Sequence, residues 1–375
     1  MSELVKAHPC PPPASSAGPA PINGGTGAPL AEATAYFQTA AERLAMLPDA
    51  DDPAATMALL TQHYGIDALL HPLSSEVERT YEARIPGGQQ FILKTSSRPA
   101  ALESFRFQSA VLAGLHHADG VLVPEAIRTL CGDLMFEHQG HGGYLQTRIA
   151  GVPLHEAPRN PILLHSVGKA LGRLNRALAL LRPPAAQRPV LWNITCWTGL
   201  DQLYPYLRPG PTADLVRRAM ADYRARIAPR LGKLDWQVTH NDPSPFNMIE
   251  TGTGIAFIDF GDGGWNPRIQ DLAIAAGHFA TDPGSALGGA EHVIAGYAAV
   301  CPLSDTEAAL LPGLMRARHA ALVLINHWRA NLFPESAAYI LKNVHRAEQA
   351  LALLSPLDPA SEKAAVVAAA ALPFP

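Results

Sequence analysis

Apolar and polar positions change their spacing several times along the first part of the chain. Residues 30–47 and 53–64 carry apolar side chains at helical spacing, so each stretch predicts a helix. Apolar and polar residues then alternate from 77 to 85, a Gly-Gly pair supplies a turn, and a second apolar run begins at Phe91. Alternation that continues across a short glycine turn predicts a β-hairpin.

A further helix and two short strands complete this early part. Residues 99–116 predict the helix, and the strands are predicted around 134–137 and 144–149. Gly151 and Pro153 then break the chain. We therefore expect residues 31–150 to form a small, β-rich N-terminal lobe that includes the two leading helices.

Beyond residue 150 the pattern is mainly helical. Apolar stripes at helical spacing lie within 163–181, 215–231 and 310–325. Two short apolar runs, at 236–239 and 255–258, interrupt them and predict a small β island. Residues 151–375 are therefore predicted to form a larger, mainly α C-terminal lobe, and the expected fold class is α+β with two lobes.

Composition and charge narrow the range of functions. The 375 residues carry 29 basic and 33 acidic side chains mixed along the chain, so there is no basic stripe for nucleic acid. Residues 1–30 are rich in Pro, Gly, Ala and Ser, which predicts a disordered tail without an export signal. The four cysteines lack paired spacing, which predicts reduced thiols. The apolar stretch 364–372 is too short to cross a bilayer, so we expect a cytoplasmic protein that does not bind membranes.

One segment concentrates oxygen-bearing side chains. His240-x-Asp242 is followed by Asn247 and, after a predicted turn, by Asp259-Phe260-Gly261. Phosphoryl transfer needs a carboxylate that orients the attacking hydroxyl and takes its proton, and oxygen ligands that hold Mg²⁺ against nucleotide phosphates. We therefore assign Asp242 as the catalytic base, and Asn247 and Asp259 as metal ligands.

The order His-x-Asp-x-x-x-x-Asn and then Asp-Phe-Gly resembles the catalytic and metal-binding loops of the protein kinase superfamily. The longer string HNDPSPFNMIETGTGIAFIDFGDGGWNPRIQDLAIA is similar to the aminoglycoside phosphotransferase and choline kinase family. Within that family, the strings IDFGD, HPLSSEVERTYEAR and FQSAVLAGL most resemble hydroxylysine kinases. The resemblance runs from about residue 60 to 350, and it implies a bilobal protein-kinase-like fold, ATP as the phosphoryl donor and an alcohol group as the acceptor.

The same resemblance implies how the small lobe binds the nucleotide. It puts Lys94 on the third strand, facing the phosphates. The glutamate that usually pairs with this lysine is replaced by Gln108, which could hydrogen-bond Lys94, and Glu103 is an alternative partner.

A glycine-rich phosphate flap is missing from the sequence. Ser74-Ser75-Glu76 stands in its place, and its hydroxyls and backbone amides are expected to face the phosphates. Adenine is expected to stack under residues 146–150, with hydrogen bonds from backbone groups near Thr147 and Ile149.

The acceptor is expected to be a small molecule, because only eleven residues separate Asp259 from Asp271 and no long activation segment docks a protein. Asp262 is expected to attract an amine. The last helical stripe carries aromatic and cationic residues that are expected to contact the acceptor and hold a carboxylate. They are His319, Asn326, His327, Trp328 and Arg329. A hydroxylated amino acid or amino alcohol is expected, with aminoglycosides, homoserine and choline as alternatives.

Two residues of the motif are expected to support it. His240 is expected to bond the loop backbone, and Asp271 to tie the catalytic loop to the following helix. Two other classes of protein stay open. A metal-dependent phosphohydrolase would use His240, Asp242 and Asp259 as ligands. A nucleotide-binding module without catalysis would fit Gln108 and the missing glycine flap.

Overall fold

A computed structural model describes residues 30–47, 49–50, 52–75, 77–354 and 358–375. The tail predicted at residues 1–30 therefore lies outside the described residues, apart from Leu30. Glu76 of the serine loop also lies outside them.

The described part of the N-terminal lobe is built on an antiparallel sheet. Its strands run in the order β1-β2-β3-β6-β4, and β5 also pairs with β6. The bounds are β1 Leu69–Leu73, β2 Arg79–Arg84, β3 Gln90–Ser96, β4 Ala126–Ile127, β5 Phe136–His138 and β6 His141–Thr147. The predicted hairpin is confirmed as β2 and β3, with Thr80 opposite Lys94. On its other side Lys94 pairs with Tyr144 of β6, so it lies in the centre of the sheet.

Three helices belong to this half of the chain: α1 (Leu30–Leu44), α2 (Pro53–Tyr64) and α3 (Pro99–Leu115). The side chain of Asp52 caps α2 by accepting from the N–H of Ala55 at 3.0 Å. Leu60 and Tyr64 of α2 pack with apolar residues of the sheet, whereas Phe105 of α3 joins the larger core shared with the second lobe.

Helix α1 contacts both lobes. Phe37 is buried in the larger core, and the hydroxyl of Tyr36 donates to the carbonyl of Arg188 at 2.7 Å. At the end of the helix, Arg43 pairs with Glu103 of α3 at 3.0 Å. The first leading helix therefore contacts both lobes.

The C-terminal lobe is mainly helical. Its helices are α4 Pro161–Leu178, α5 Pro211–Asp222, α6 Ile269–Phe279, α7 Glu291–Ala298, α8 Asp305–Leu332, α9 Ala337–Ile340, α10 Val344–Leu353 and α11 Pro359–Ala370. The stripes at 163–181 and 310–325 are confirmed as α4 and α8. The stripe at 215–231 is only partly one helix, because α5 gives way to a π-helical turn and a 3-10 segment that contains Pro229, which has no N–H to donate.

Helix α8 is the central helix of this lobe. Ser304 and Glu307 form a capping box at its start, and Glu307 also accepts from Arg268 at 2.7 Å. The helix is long and apolar enough to cross a membrane by those two measures. However, 94% of its most apolar window is buried inside the fold, as in a core helix.

The predicted β island is two small sheets. Strands β7 (Val152–Pro153), β9 (Met248–Thr251) and β10 (Gly254–Phe257) form one, and β8 (Trp236–Thr239) pairs with β11 (Gly264–Pro267) in the other. The two predicted strands, β8 and β10, therefore lie in different sheets. Of the cysteines, Cys196 and Cys301 are free and buried as expected, but Cys131 is disulfide-bonded, so the expectation of reduced thiols is wrong for it.

Candidate active site

The loops that join these small strands carry the predicted catalytic residues. One loop follows β8 and leads into β9, and a second follows β10 and leads into β11. Because Met248 pairs with Phe257, the residues just outside the hairpin are brought to the same end of it. The N–H of Ile258 donates to the carbonyl of Asn247 at 3.0 Å, which fixes Asn247 beside the chain that enters Asp259.

Asp242 accepts several hydrogen bonds in the first loop. Its Oδ2 accepts from Nδ2 of Asn247 at 2.7 Å, and its Oδ1 accepts from Nη2 of Arg318 at 3.0 Å. Asn247 also donates Nδ2 to the backbone carbonyl of Asp242 at 3.1 Å. These two bonds use the amide nitrogen of Asn247 and leave its Oδ1 as the atom that can bind a cation.

His240 and Asp271 lie behind this loop. Buried Asp271 accepts from the N–H groups of His240 and Asn241, at 3.0 and 2.8 Å, and from Nδ2 of Asn175 at 2.8 Å. Burial raises the pKa of Asp271, although these bonds and nearby His240 oppose the rise. The ring of His240 bonds the carbonyl of Ile258 through Nε2 and accepts the N–H of Asp242 through Nδ1. Both residues therefore hold the loop backbone.

The loop backbone adopts unusual conformations at two of these positions. Asn241 and Asp259 have φ values of 65° and 61°, in the left-handed region that residues other than glycine rarely adopt. The side chain of Asn241 stabilises its conformation, since it donates to the carbonyl of Asp262 at 3.0 Å and accepts from Gln270 at 2.7 Å. Such strain occurs preferentially at functional sites.

Lys94 makes three polar contacts in the centre of the site. Its Nζ lies 2.8 Å from Oδ1 of Asp259, 2.9 Å from Oε1 of Glu78 and 3.1 Å from Oε1 of Gln108. Burial alone would lower the pKa of Lys94, but the charges of Asp259 and Glu78 raise it well above its usual value. Burial acts to raise the pKa of Asp259, and the charge of Lys94 outweighs it, so that pKa is lowered. The pair is therefore ionised at neutral pH.

The partner of Lys94 differs from one of the sequence expectations. Gln108 does bond Lys94, and it also accepts from the hydroxyl of Tyr144 at 2.8 Å. Glu103 does not substitute for the missing glutamate, because it faces Arg43 at the lobe boundary. The acidic partner is Glu78, which directly precedes β2 and was not predicted.

A cleft of about 940 Å³ lies between the lobes and collects most of the predicted site residues. Those that line it are Ser74, Ser75, Lys94, Thr147, Ile149, Asp242, Asn247, Asp259 and Asp262. Gln108, His240 and Asp271 lie behind its wall. One backbone contact differs from expectation, since the N–H of Thr147 already donates to the carbonyl of Glu125 at 2.9 Å and is not available to a base.

Of the predicted acceptor residues on α8, Asn326 lines the cleft as expected, and the others are placed differently. Arg318, Leu322 and Asn326 line the cleft because they lie one helical turn apart on one face. Trp328 and Arg329 point away from that face and are buried. They and His327 do not belong to the cleft wall, so the expectation that these three contact the acceptor is not met. His319 lines a neighbouring cavity.

Arg318 is a charged, cleft-lining side chain on this helix that the sequence interpretation missed. It is only 4% exposed, and its guanidinium lies over the ring of Trp192 at 4.7 Å. The available signal in the sequence was an arginine inside a predicted apolar stripe, because a charge that becomes buried needs a partner. Arg316, two residues earlier, has such a structural partnership with Glu362 and Asp222.

The two lobes and the cleft with Lys94, Asp242 and Asp259 define a phosphotransferase of the protein-kinase-like class. The chain belongs to the Phosphotransferase enzyme family, whose model matches residues 70–309. It is 23% identical over 301 residues to the hydroxylysine kinase of Danio rerio, covering 74% of this chain and 84% of that protein. It is 29% identical over 229 residues to the homoserine kinase of Pseudomonas aeruginosa, covering 59% and 67%.

Solved structures share the fold. A complex of amicoumacin kinase with AMP-PNP, Ca²⁺ and Ami aligns with a TM-score of 0.58 at 16% identity, covering 83% of this chain and 97% of that one. A microcompartment-associated aminopropanol kinase aligns with a TM-score of 0.55 at 20% identity, covering 81% and 96%. The predicted bilobal α+β fold and the predicted family are thereby confirmed, and the protein is an enzyme of the small-molecule kinase type.

Proposed function

We propose that the protein transfers the γ-phosphoryl group of ATP to the hydroxyl of a hydroxylated amino acid or amino alcohol, of which hydroxylysine is the model. One observation carries the proposal. Asp242, Asn247, Asp259 and Lys94 line a single cleft in a member of a phosphotransferase family. The two kinds of amino acid kinase among the relatives support the choice of acceptor.

In this proposal Asp242 is the general base. Its carboxylate orients the acceptor hydroxyl and takes its proton as the oxygen bonds to the γ-phosphorus. The bond from that phosphorus to the β,γ-bridging oxygen breaks, and ADP leaves. Lys94 binds the phosphates of the nucleotide, and Glu78 and Gln108 hold its ammonium group in position.

Asp259 and Asn247 fit a magnesium site by the chemistry of their donor atoms. They offer carboxylate and amide oxygens, and Mg²⁺ commonly completes such a set with phosphate oxygens and water. A bound magnesium ion would neutralise charge on the transferring phosphoryl group. Ser74 and Ser75 would face the phosphates, and the adenine would bond the backbone near Ile149, because the N–H of Thr147 is already occupied.

Three observations bear on the alternative acceptors and functions. The match to homoserine kinase at 29% identity supports homoserine as a second acceptor. The hydrolase alternative is weakened because both ring nitrogens of His240 already have partners in the loop, so this side chain cannot bind a metal without breaking them. An inactive module is less consistent with Lys94, which keeps its two carboxylate partners.

The test is phosphorylation of an acceptor panel by the purified chain, followed by mass spectrometry of the product and by ADP release. Hydroxylysine, homoserine, choline, aminopropanol and an aminoglycoside form the panel. Asp242→Asn is expected to lower kcat by about 10²- to 10⁴-fold, the usual contribution of a general base. Asp214→Asn is the matched control, because this side chain is 61% exposed and lies outside the cleft. Phosphate release that does not need an acceptor would instead support a hydrolase.

A further inference from the structure

A second cavity, of about 410 Å³, opens beside the catalytic cleft. The two cavities share part of their walls, including Phe246, His278, Leu322 and Asn343. The second cavity is therefore an extension of the cleft on the side of Asp242 and Arg318. We refer to it as the basic pocket, because its charged and titratable lining residues are Arg159, Arg346 and four histidines.

No aspartate or glutamate occurs among the described residues that line the basic pocket. Arg159 donates to the neutral hydroxyl of Thr281 at 3.2 Å and lies over the ring of Phe279 at 5.4 Å. Arg346 lies over the ring of Phe246 at 5.3 Å. Burial and the nearby charge of Arg346 lower the pKa of Arg159. Aromatic faces and a hydroxyl thus hold these two cations, and no carboxylate of the described residues pairs with them.

The basic pocket also contains a buried polar atom that has no hydrogen-bond partner among the described residues. His319 is 3% exposed, and its Nδ1 has no hydrogen-bond partner among the described residues. Its ring lies 5.8 Å from that of His278, which borders both cavities. Burial lowers the pKa of each of these histidines to about 3, so both rings are neutral and each carries a single N–H. That of His319 bonds the backbone of Gly277, which leaves the N–H of His278 as the imidazole donor.

Arg318 lines the catalytic cleft beside this pocket and contacts the catalytic loop. One of its nitrogens, Nη2, donates to Asp242, while Nε and Nη1 are buried without a partner in the described part of the chain. Buried donors that lack a partner are costly, so such atoms usually mark a site where a ligand or water completes the bonding. His278, which borders both cavities, lies within electrostatic range of Arg318, Arg159 and Arg346, so cationic groups lie on both sides of the shared wall.

We propose that the basic pocket binds the carboxylate of the acceptor while its hydroxyl lies at Asp242. The inference rests on the proposed function and narrows it to hydroxy acids, such as hydroxylated amino acids. Paired arginine and imidazole donors match a carboxylate, whereas a polycationic aminoglycoside or a simple amino alcohol would place its positive charge or its apolar end among these cations. In this proposal Arg159, Arg318 and Arg346 bind the carboxylate of the acceptor, and Arg329 does not.

The test compares acceptors that differ only in the carboxylate. L-homoserine is paired with 3-aminopropan-1-ol, and hydroxylysine with 1,5-diaminopentan-2-ol. The acid of each pair is expected to have the higher kcat/KM by about ten- to a hundredfold, the range for a charged hydrogen bond. In the double variant Arg159→Gln/Arg346→Gln, the KM of the acid should rise by a similar factor, with kcat and the KM for ATP little changed. Arg230→Gln, at an exposed position outside both cavities, is the matched control.

Calorimetric binding of the same four compounds to the chain with a non-hydrolysable ATP analogue separates two kinds of failure. Arginine-dependent binding of the acids without turnover of any compound would refute the proposed function and retain the pocket assignment. Equal use or equal binding of acid and alcohol, or an unchanged KM in the double variant, would overturn the pocket assignment. Circular dichroism of the variants establishes that they are folded.

Discussion

Nζ of Lys94 lies 2.9 Å from a carboxylate oxygen of Glu78, so within the small lobe the buried lysine takes its acidic partner from the residue before strand β2 and not from helix α3. Gln108 of α3 adds only a neutral oxygen at 3.1 Å. The position of Lys94 is therefore fixed by the hairpin that carries it, and movement of α3 would leave the ion pair intact.

Glu78→Gln is predicted to weaken ATP use. The ammonium group of Lys94 would keep Asp259 but lose a charged bond that orients it, so the KM for ATP should rise by about tenfold. Steady-state kinetics with ATP varied would measure this. Glu335→Gln is the matched control, because Glu335 is exposed and lies outside the cleft wall. Equal effects of the two changes would contradict the assigned role of Glu78.

Asn247→Ala is predicted to raise the magnesium requirement. The change removes a proposed oxygen ligand and also the 2.7 Å bond to Asp242. Activity titrated with Mg²⁺ should show a half-saturating concentration raised by about tenfold or more, and a lower plateau. Even the groups that only support a metal ligand typically contribute about tenfold or more to metal affinity. Asn331→Ala, at an exposed position near the end of α8, should leave the titration unchanged.

Asp271→Asn is predicted to destabilise the fold and inactivate the enzyme together. The buried carboxylate accepts three N–H groups, and an amide would turn a donor toward at least one of them. Unpaired buried donors cost about 1–3 kcal/mol each, so the free energy of unfolding should fall by that amount or more. Denaturant unfolding measures it. Asp235→Asn, with a side chain that is 79% exposed, should change it little.

Acidification is predicted to destabilise the protein through His319. In the unfolded chain this histidine binds a proton near pH 6.5, but in the fold burial keeps it neutral down to about pH 3. Unfolding therefore takes up a proton as the pH falls below 6.5, and stability decreases in that direction. Between pH 6.5 and 5 the loss from one such group is about 1–2 kcal/mol.

His319→Gln should remove this part of the pH dependence. Unfolding free energies at pH 6.5 and 5 would be compared for the two proteins, with exposed His345 replaced in the same way as a control. The assignment would be refuted if the pH dependence of the unfolding free energy were unchanged in the His319 variant and weaker in the control.

The catalytic loops could be predicted because their residues are close in sequence. Asp242, Asn247 and Asp259 flank one hairpin, so their spacing alone brings them together. Glu78 depends on the register of β2 and β3, with Thr80 opposite Lys94, which places residues 78 and 80 on the face of the lysine. The hairpin was predicted, but the pairing of residues across its two strands was not.

The acceptor side could not be predicted in the same way. Helix α8 is buried on nearly every side, so it has no polar face that would reveal which residues point into the cleft. The interpretation chose residues by their chemistry, and of these Asn326 lines the cleft. The chosen residues were His319, Asn326, His327, Trp328 and Arg329. The structure turns the face of Arg318, Leu322 and Asn326 toward the cleft.

Helix α1 ends at Leu44 and lies outside residues 70–309, the part of the chain that the family model matches. Ala40, Arg43 and Leu44 form part of the cleft wall, while Tyr36 is tied to one lobe and Arg43 to the other. Any hinge motion that widens the entrance for nucleotide must therefore stretch or release this strap. Helix α1, which lies outside the matched family region, would therefore resist the opening of the cleft.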